Sequence, residues 1–129
     1  MPRARAEDAI QRAVFQHLAH RAAPGVVAWH TPSGGYRKPV EAAIFKGLGV
    51  MPGVSDLIAV APSYCPVCRL PRAEVFALEL KTENGRPTAE QLAFIHRLNA
   101  AGGYGAVAYG LDAALASLEA WHLLKGHAS

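Results

Sequence analysis

The stretch Val75-Phe76-Ala77-Leu78-Glu79-Leu80-Lys81 constrains the fold more than any other part of the chain. Extended residues alternate between two faces, so Val75 and Ala77 share one side and Phe76, Leu78 and Leu80 share the other. Both sides are apolar. Such a strand belongs inside a sheet, with helices packed above and below. It then carries Glu79 and Lys81 along the face begun by Val75 and Ala77. A carboxylate and an ammonium on a core strand are costly unless paired or liganded. They read either as an ion pair where the strand meets solvent or as part of a site.

The rest of the chain supplies the layers. Residues 6 to 22 read as a helix, because Ile10, Val14 and Leu18 recur four apart with Phe15 beside them. Ala23-Pro24-Gly25 stops it. Val26 to His30 is a short strand, 31 to 35 a loop of turn residues, and 39 to 46 a short helix ended by Gly47-Leu48-Gly49. Val54 to Ala61 is a second apolar strand. Pro62 to Arg72, with three prolines and both cysteines, reads as a loop or hairpin end. Thr88 opens a helix that runs to about Ala100, Gly105 to Tyr109 is a further strand, and 112 to 124 is a last helix. Its inner side carries Leu115, Leu118 and Trp121. This order predicts an α/β fold with a mixed sheet of about four strands flanked by helices.

At 129 residues the chain is expected to be one domain. Its 51% apolar and 18% charged residues exclude a disordered chain. No apolar run has the length of a membrane span. Glu7 and Asp8 fall where a signal peptide needs apolar residues. A soluble, intracellular, cytoplasmic protein is expected.

Besides Glu79 and Lys81, three groups sit where a fold alone would not put them. Asp56, after Met51-Pro52-Gly53-Val54-Ser55, alternates with Ile58 and Val60. If its strand pairs with the central one, Asp56 and Glu79 converge at one sheet end. Two such carboxylates repel unless a cation or a shared proton lies between them. With Lys81 adjacent, the group suits a hard divalent metal and a positioned water. The alternative for Asp56 is a turn residue capping its own backbone. Glu7 falls within the wedge of Ile10, Val14 and Leu18, whereas Asp8 lies about 100° away at its edge. Glu7 is therefore the acid aimed at the sheet, or else a first-turn acid favoured by the helix dipole. Gln91 lies in the wedge of Leu92, Phe94, Ile95 and Leu98, and Thr88-Ala89-Glu90-Gln91 also fits a capping box.

The ordered series Pro52-Gly53-Val54-Ser55-Asp56, then Glu79-Leu80-Lys81, then Gln91, resembles the PD-(D/E)XK nuclease superfamily. Within it the chain is similar to a stand-alone VRR-NUC, or virus-type replication-repair nuclease, domain. The resemblance spans nearly the whole chain, from the helix with Glu7 and Gln11 and the loop Ser33-Gly34-Gly35-Tyr36-Arg37 to Thr82-Glu83-Asn84-Gly85-Arg86. Two features depart from the family pattern: Ser55, where proline is usual, and the long Pro62 to Arg72 insertion.

The resemblance implies a restriction-endonuclease-like α/β core and metal-dependent hydrolysis of DNA phosphodiesters. It implies that Asp56, Glu79 and the Leu80 carbonyl bind Mg2+ or Mn2+, and that Lys81 orients the attacking water. Glu7 would support a metal or its waters, and Gln91 would hold Lys81 or the substrate. It further implies a homodimer acting on branched, Holliday-junction-like DNA, and it is compatible with a phage-encoded origin.

The net charge of +3 permits an acidic partner without naming one. Arg37, Lys38, Lys46 and Arg86 are the phosphate-contact candidates, and each is also explicable as a solvated surface charge. Cys65-Pro66-Val67-Cys68 has metal-knuckle spacing. A structural zinc site needs four ligands, and neither a second such pair nor a matching histidine pair exists. Zinc is therefore not expected at Cys65 and Cys68, unless two subunits share it or a distant histidine helps. The competing reading of the chain is a non-catalytic nucleic-acid-binding module, or a CxxC-anchored interaction module, on a nuclease fold.

Overall fold

The computed structural model describes residues 3–32 and 39–126. In chain order it contains α1 (Arg3–Arg21), β1 (Val27–His30), α2 (Pro39–Gly47), β2 (Leu57–Tyr64), β3 (Pro71–Lys81), α3 (Ala89–Ala100), β4 (Tyr104–Tyr109) and α4 (Leu111–Ala120). The four strands form one sheet in the order β1-β2-β3-β4. The first two pairings are antiparallel, and β3 pairs with β4 in parallel through the α3 crossover. The strand with two apolar faces is interior, as its sequence requires.

Register sorts the side chains. Leu57 lies opposite Leu78 and Ala59 opposite Phe76, while Leu78 and Leu80 lie beside Ala106 and Ala108. Paired residues share a face, so these form one apolar layer. Against it pack Val14 and Leu18 of α1 and Ala114, Leu115 and Leu118 of α4, all buried. Full burial of each leucine or valine here contributes about 1.5–3 kcal/mol. The opposite face carries Ile58, Ala77 and Gly105, and α3 covers it: a Cβ at Gly105 would stand 3.1 Å from Ile95 Cγ2. Arg21 ties α1 to the end of α4 by an ion pair with Glu119 at 2.7 Å, and it also donates to the Lys125 carbonyl.

Besides α1, which begins at Arg3 rather than residue 6, three boundaries differ from the sequence reading by more than one residue. β2 starts at Leu57 rather than Val54, because Gly53 turns the chain at φ +81. There a Cβ would meet the Glu90 carbonyl oxygen at 2.3 Å, so only glycine lets this turn seat on α3. The expected loop from Pro62 to Arg72 is largely strand: Pro62 pairs with Ala73 and Tyr64 with Pro71. β1 reaches only Val60, so Pro62 lies beyond that ladder, packed beside Gly25, and no ladder bond needs its missing N–H. The last helix ends at Ala120 rather than 124. His122 turns out at φ 62, and Leu123 and Leu124 are buried by the return.

Candidate active site

The site is built where β2 stops and β3 continues. The last pair of that ladder is Leu57 with Leu78, so the next residues, Asp56 and Glu79, fall opposite each other on the α3 face. Past this point the β2 edge of β3 lacks a strand neighbour among the described residues. The Leu80 N–H donates instead to Asp56 Oδ2 at 2.9 Å. Asp56 thus caps the neighbouring strand, not its own turn as the alternative reading had it. Its own carbonyl accepts from the Thr31 N–H at 3.0 Å and from His30 Nδ1 at 2.8 Å. A carbonyl can only accept, so Nδ1 donates this bond. Within one strand residue the N–H and C=O point to the same edge, so the Leu80 carbonyl opens on the Asp56 side.

Glu79 and Lys81 are both buried, at 1% and 8% exposure. Lys81 Nζ lies 3.7 Å from Glu79 Oε1. The other oxygen, Glu79 Oε2, is buried with no hydrogen-bond partner among the described residues. Burial pushes the Glu79 pKa from 4.5 up to about 8, the negative charge of Asp56 pushes the same way, and Lys81 and the Asp56 backbone oppose them. A buried carboxylate oxygen without a donor, beside a second carboxylate, is a place a hard cation fits. No three His, Cys, Asp or Glu side chains converge on an ion among the described residues. Mg2+ does not need them, because it is commonly held by one or two carboxylates and completes its shell with water and substrate phosphate.

These residues open into a cleft of about 320 Å³. Glu7 lines it from α1, together with Asp8 and Gln11. The sequence reading separated Glu7 from Asp8, but the structure brings both to the cleft, with Glu7 half-buried and Asp8 exposed. Gln91 lines the cleft and also completes the capping box. Its Oε1 accepts from the Thr88 N–H at 2.8 Å, and its own N–H donates to Thr88 Oγ1 at 3.1 Å. With that oxygen committed, the Gln91 NH2 is what can serve the cleft. His30 is a lining residue the sequence reading missed. Only the β1–β2 register places it beside Asp56, and nothing local in the sequence signals that pairing.

Beside the cleft, and sharing Pro32 with it, runs a larger groove of about 620 Å³ between α2 and the Val50–Val54 segment. Lys46 lines it. Arg86 is exposed on the turn before α3. Arg37 and Lys38 lie outside the described residues. Cys65 and Cys68 sit at the far end of the β2–β3 hairpin, eight strand residues or roughly 27 Å from Asp56.

The strand order, the crossover and the cleft at the β3 terminus make this a restriction-endonuclease-like α/β fold. More narrowly, it is the VRR-NUC fold. A solved structure described as a VRR_NUC domain protein superposes with a TM-score of 0.68 at 25% identity, over 92% of this chain and 89% of that one. No family model matches the sequence, and no curated protein matches it. The sheet, the four helices and the nuclease fold expected from the residues are therefore observed. Among the described residues, no helix is long and apolar enough to cross a membrane.

Proposed function

We propose that the chain is one VRR-NUC domain acting as a Mg2+- or Mn2+-dependent DNA endonuclease on branched DNA, as a homodimer. The observation that carries this reading is the Asp56, Glu79 and Lys81 cluster, with the buried, unpartnered Glu79 Oε2 at its centre. A site retired from chemistry has no reason to keep buried charges at this cost.

Asp56, Glu79 and the Leu80 carbonyl would hold the metal. When bound, it stabilises the negative charge that builds on the phosphate and lowers the pKa of water. Lys81 places its ammonium beside the attacking oxygen, favouring hydroxide character there. Water attacks phosphorus and releases a proton to solvent, the bond to the leaving oxygen breaks, and that oxygen takes up a proton from solvent. Glu7 holds waters on the α1 side of the cleft, and the Gln91 NH2 orients substrate or Lys81. Lys46 and Arg86, with Arg37 and Lys38, contact backbone phosphates and position the duplex.

The test is Lys81→Ala, assayed for cleavage and for gel shift on linear, flap and four-way DNA with Mg2+. Cleavage should disappear while affinity stays within about 3-fold, since phosphate contacts come from elsewhere. Full activity in the variant would remove Lys81 from the mechanism. DNA binding by the wild type without cleavage in any metal would favour the non-catalytic module.

A further inference from the structure

The β2–β3 hairpin runs on past the rest of the sheet. β1 ends against Val60 and β4 begins against Phe76, and beyond Ala61 and Pro62, which still touch the core and Gly25, Ser63–Arg72 continues as a two-stranded arm. A ribbon of two strands is marginal in water by itself. Its tip carries Tyr64 at 66% exposure, Val67 at 89% and Leu70 at 65% around two thiols.

The tip is shaped around sulfur. The Cys65 N–H donates to the Leu70 carbonyl at 2.9 Å and the Arg69 N–H to the Cys65 carbonyl at 2.9 Å, closing a tight loop. Arg69 sits in the left-handed region at φ 64, a conformation a non-glycine residue adopts only when its surroundings hold it there. The turn aims the Cys68 N–H at Cys65 Sγ, 3.4 Å away. The two thiols are not joined. Backbone N–H groups aimed at sulfur stabilise thiolate, the form that binds metal. Among the described residues, no third His, Cys, Asp or Glu joins the pair.

The geometry points to half of a tetrahedral zinc site, completed by Cys65 and Cys68 of a second copy of this chain. A thiolate pair selects a soft or borderline cation over Mg2+, and closed structural zinc sites take four ligands. Two tips related by a two-fold axis supply four sulfurs. The exposed Tyr64, Val67 and Leu70 side chains would then cover one another around the metal. Four thiolates on a divalent ion carry a net negative charge, and the positive charge of Arg72 acts on Cys65 in each copy. The inference stands apart from the proposed nuclease chemistry, because the tip lies at the opposite end of the hairpin from the cleft.

The test uses the full chain, loaded with zinc or with cobalt in its place and kept reduced. The expected result is one zinc per two chains by elemental analysis and native mass spectrometry. Cobalt should give the intense near-ultraviolet absorption of thiolate ligation, and chelation should return the dimer to monomer. Cys65→Ser and Cys68→Ser should each lose the metal and the dimer. Circular dichroism checks that they stay folded, and the wild-type cobalt spectrum decides the matter if they do not. Any of four results would overturn the proposal. These are no thiolate–cobalt absorption, one zinc held by a monomer, a dimer indifferent to chelation, or a Cys65–Cys68 disulfide that reductants open without creating metal affinity.

Discussion

In the metal-free protein, Glu79 makes stability depend on pH through a single residue. Burial first, and the charge of Asp56 second, lift its pKa from 4.5 to about 8. An unfolded chain releases this proton at the lower value. Between the two values the folded state therefore binds more protons than the unfolded one. The stabilisation from the protonated group is complete below the unfolded pKa and is lost as pH rises through the folded pKa. Integrated from about pH 5 to about pH 7.5, the loss is about 3 kcal/mol, taking roughly 1.4 kcal/mol per pKa unit. Glu79→Gln keeps the shape and has no proton to release. Urea denaturation with EDTA at both pH values, on both proteins, isolates the effect. The wild type should lose about 3 kcal/mol more than the variant over this range. Saturating Mg2+ should restore stability to the wild type and do little for the variant. Equal pH slopes would show that Glu79 is not a buried carboxyl beside Asp56, and the two-carboxylate site would fall with it.

Asp56→Asn keeps an oxygen for the Leu80 N–H and removes the repulsion of Glu79, so the metal-free variant should be at least as stable as wild type. Calorimetry should show its Mg2+ and Mn2+ affinity lost, and unchanged affinity would leave Asp56 a strand cap only. Glu7→Gln should slow cleavage by roughly 10- to 100-fold, the range for groups that act on a metal through its outer shell. The exposed Asp8 should matter less, and the two single variants compared at saturating Mg2+ decide the order. Ser55 is fully buried, and its hydroxyl has no partner among the described residues. Ser55→Ala should therefore raise stability by about 1 kcal/mol, measurable as a higher melting temperature.

Much of the molecule was legible in its residues because the informative signals are local. Alternation along Val75–Lys81 identified the interior strand, and the same alternation put Glu79 and Lys81 on one face. The Thr88 and Gln91 spacing announced the start of α3. What escaped depends on pairing between distant segments. Pro62, Pro66 and Pro71 read as a loop, because nothing local says that β1 stops at Val60 and leaves Pro62 outside that ladder. His30 reaches the cleft through the register of an exposed four-residue strand, which carries no face pattern of its own. Asp8 was assigned to the edge of a wedge defined by the apolar residues of α1. That wedge points into the Leu78 layer, whereas the cleft is lined by Glu7, Asp8 and Gln11 from the second and third turns of the helix.

The hairpin that joins Asp56 to Glu79 also sets where this chain can change length. Side chains alternate every residue, so inserting one residue inside β2 would reverse the parity of everything on one side of it. With β3 as the reference, Leu57 would take the place of Asp56 in the cleft, and a carboxylate would enter the α1 layer. Residues added between Tyr64 and Pro71 leave both ladders in phase, because a turn absorbs them without passing them on. The tip is therefore the one stretch of the hairpin where lineages can lengthen, shorten or re-equip the chain while the two carboxylates stay opposed.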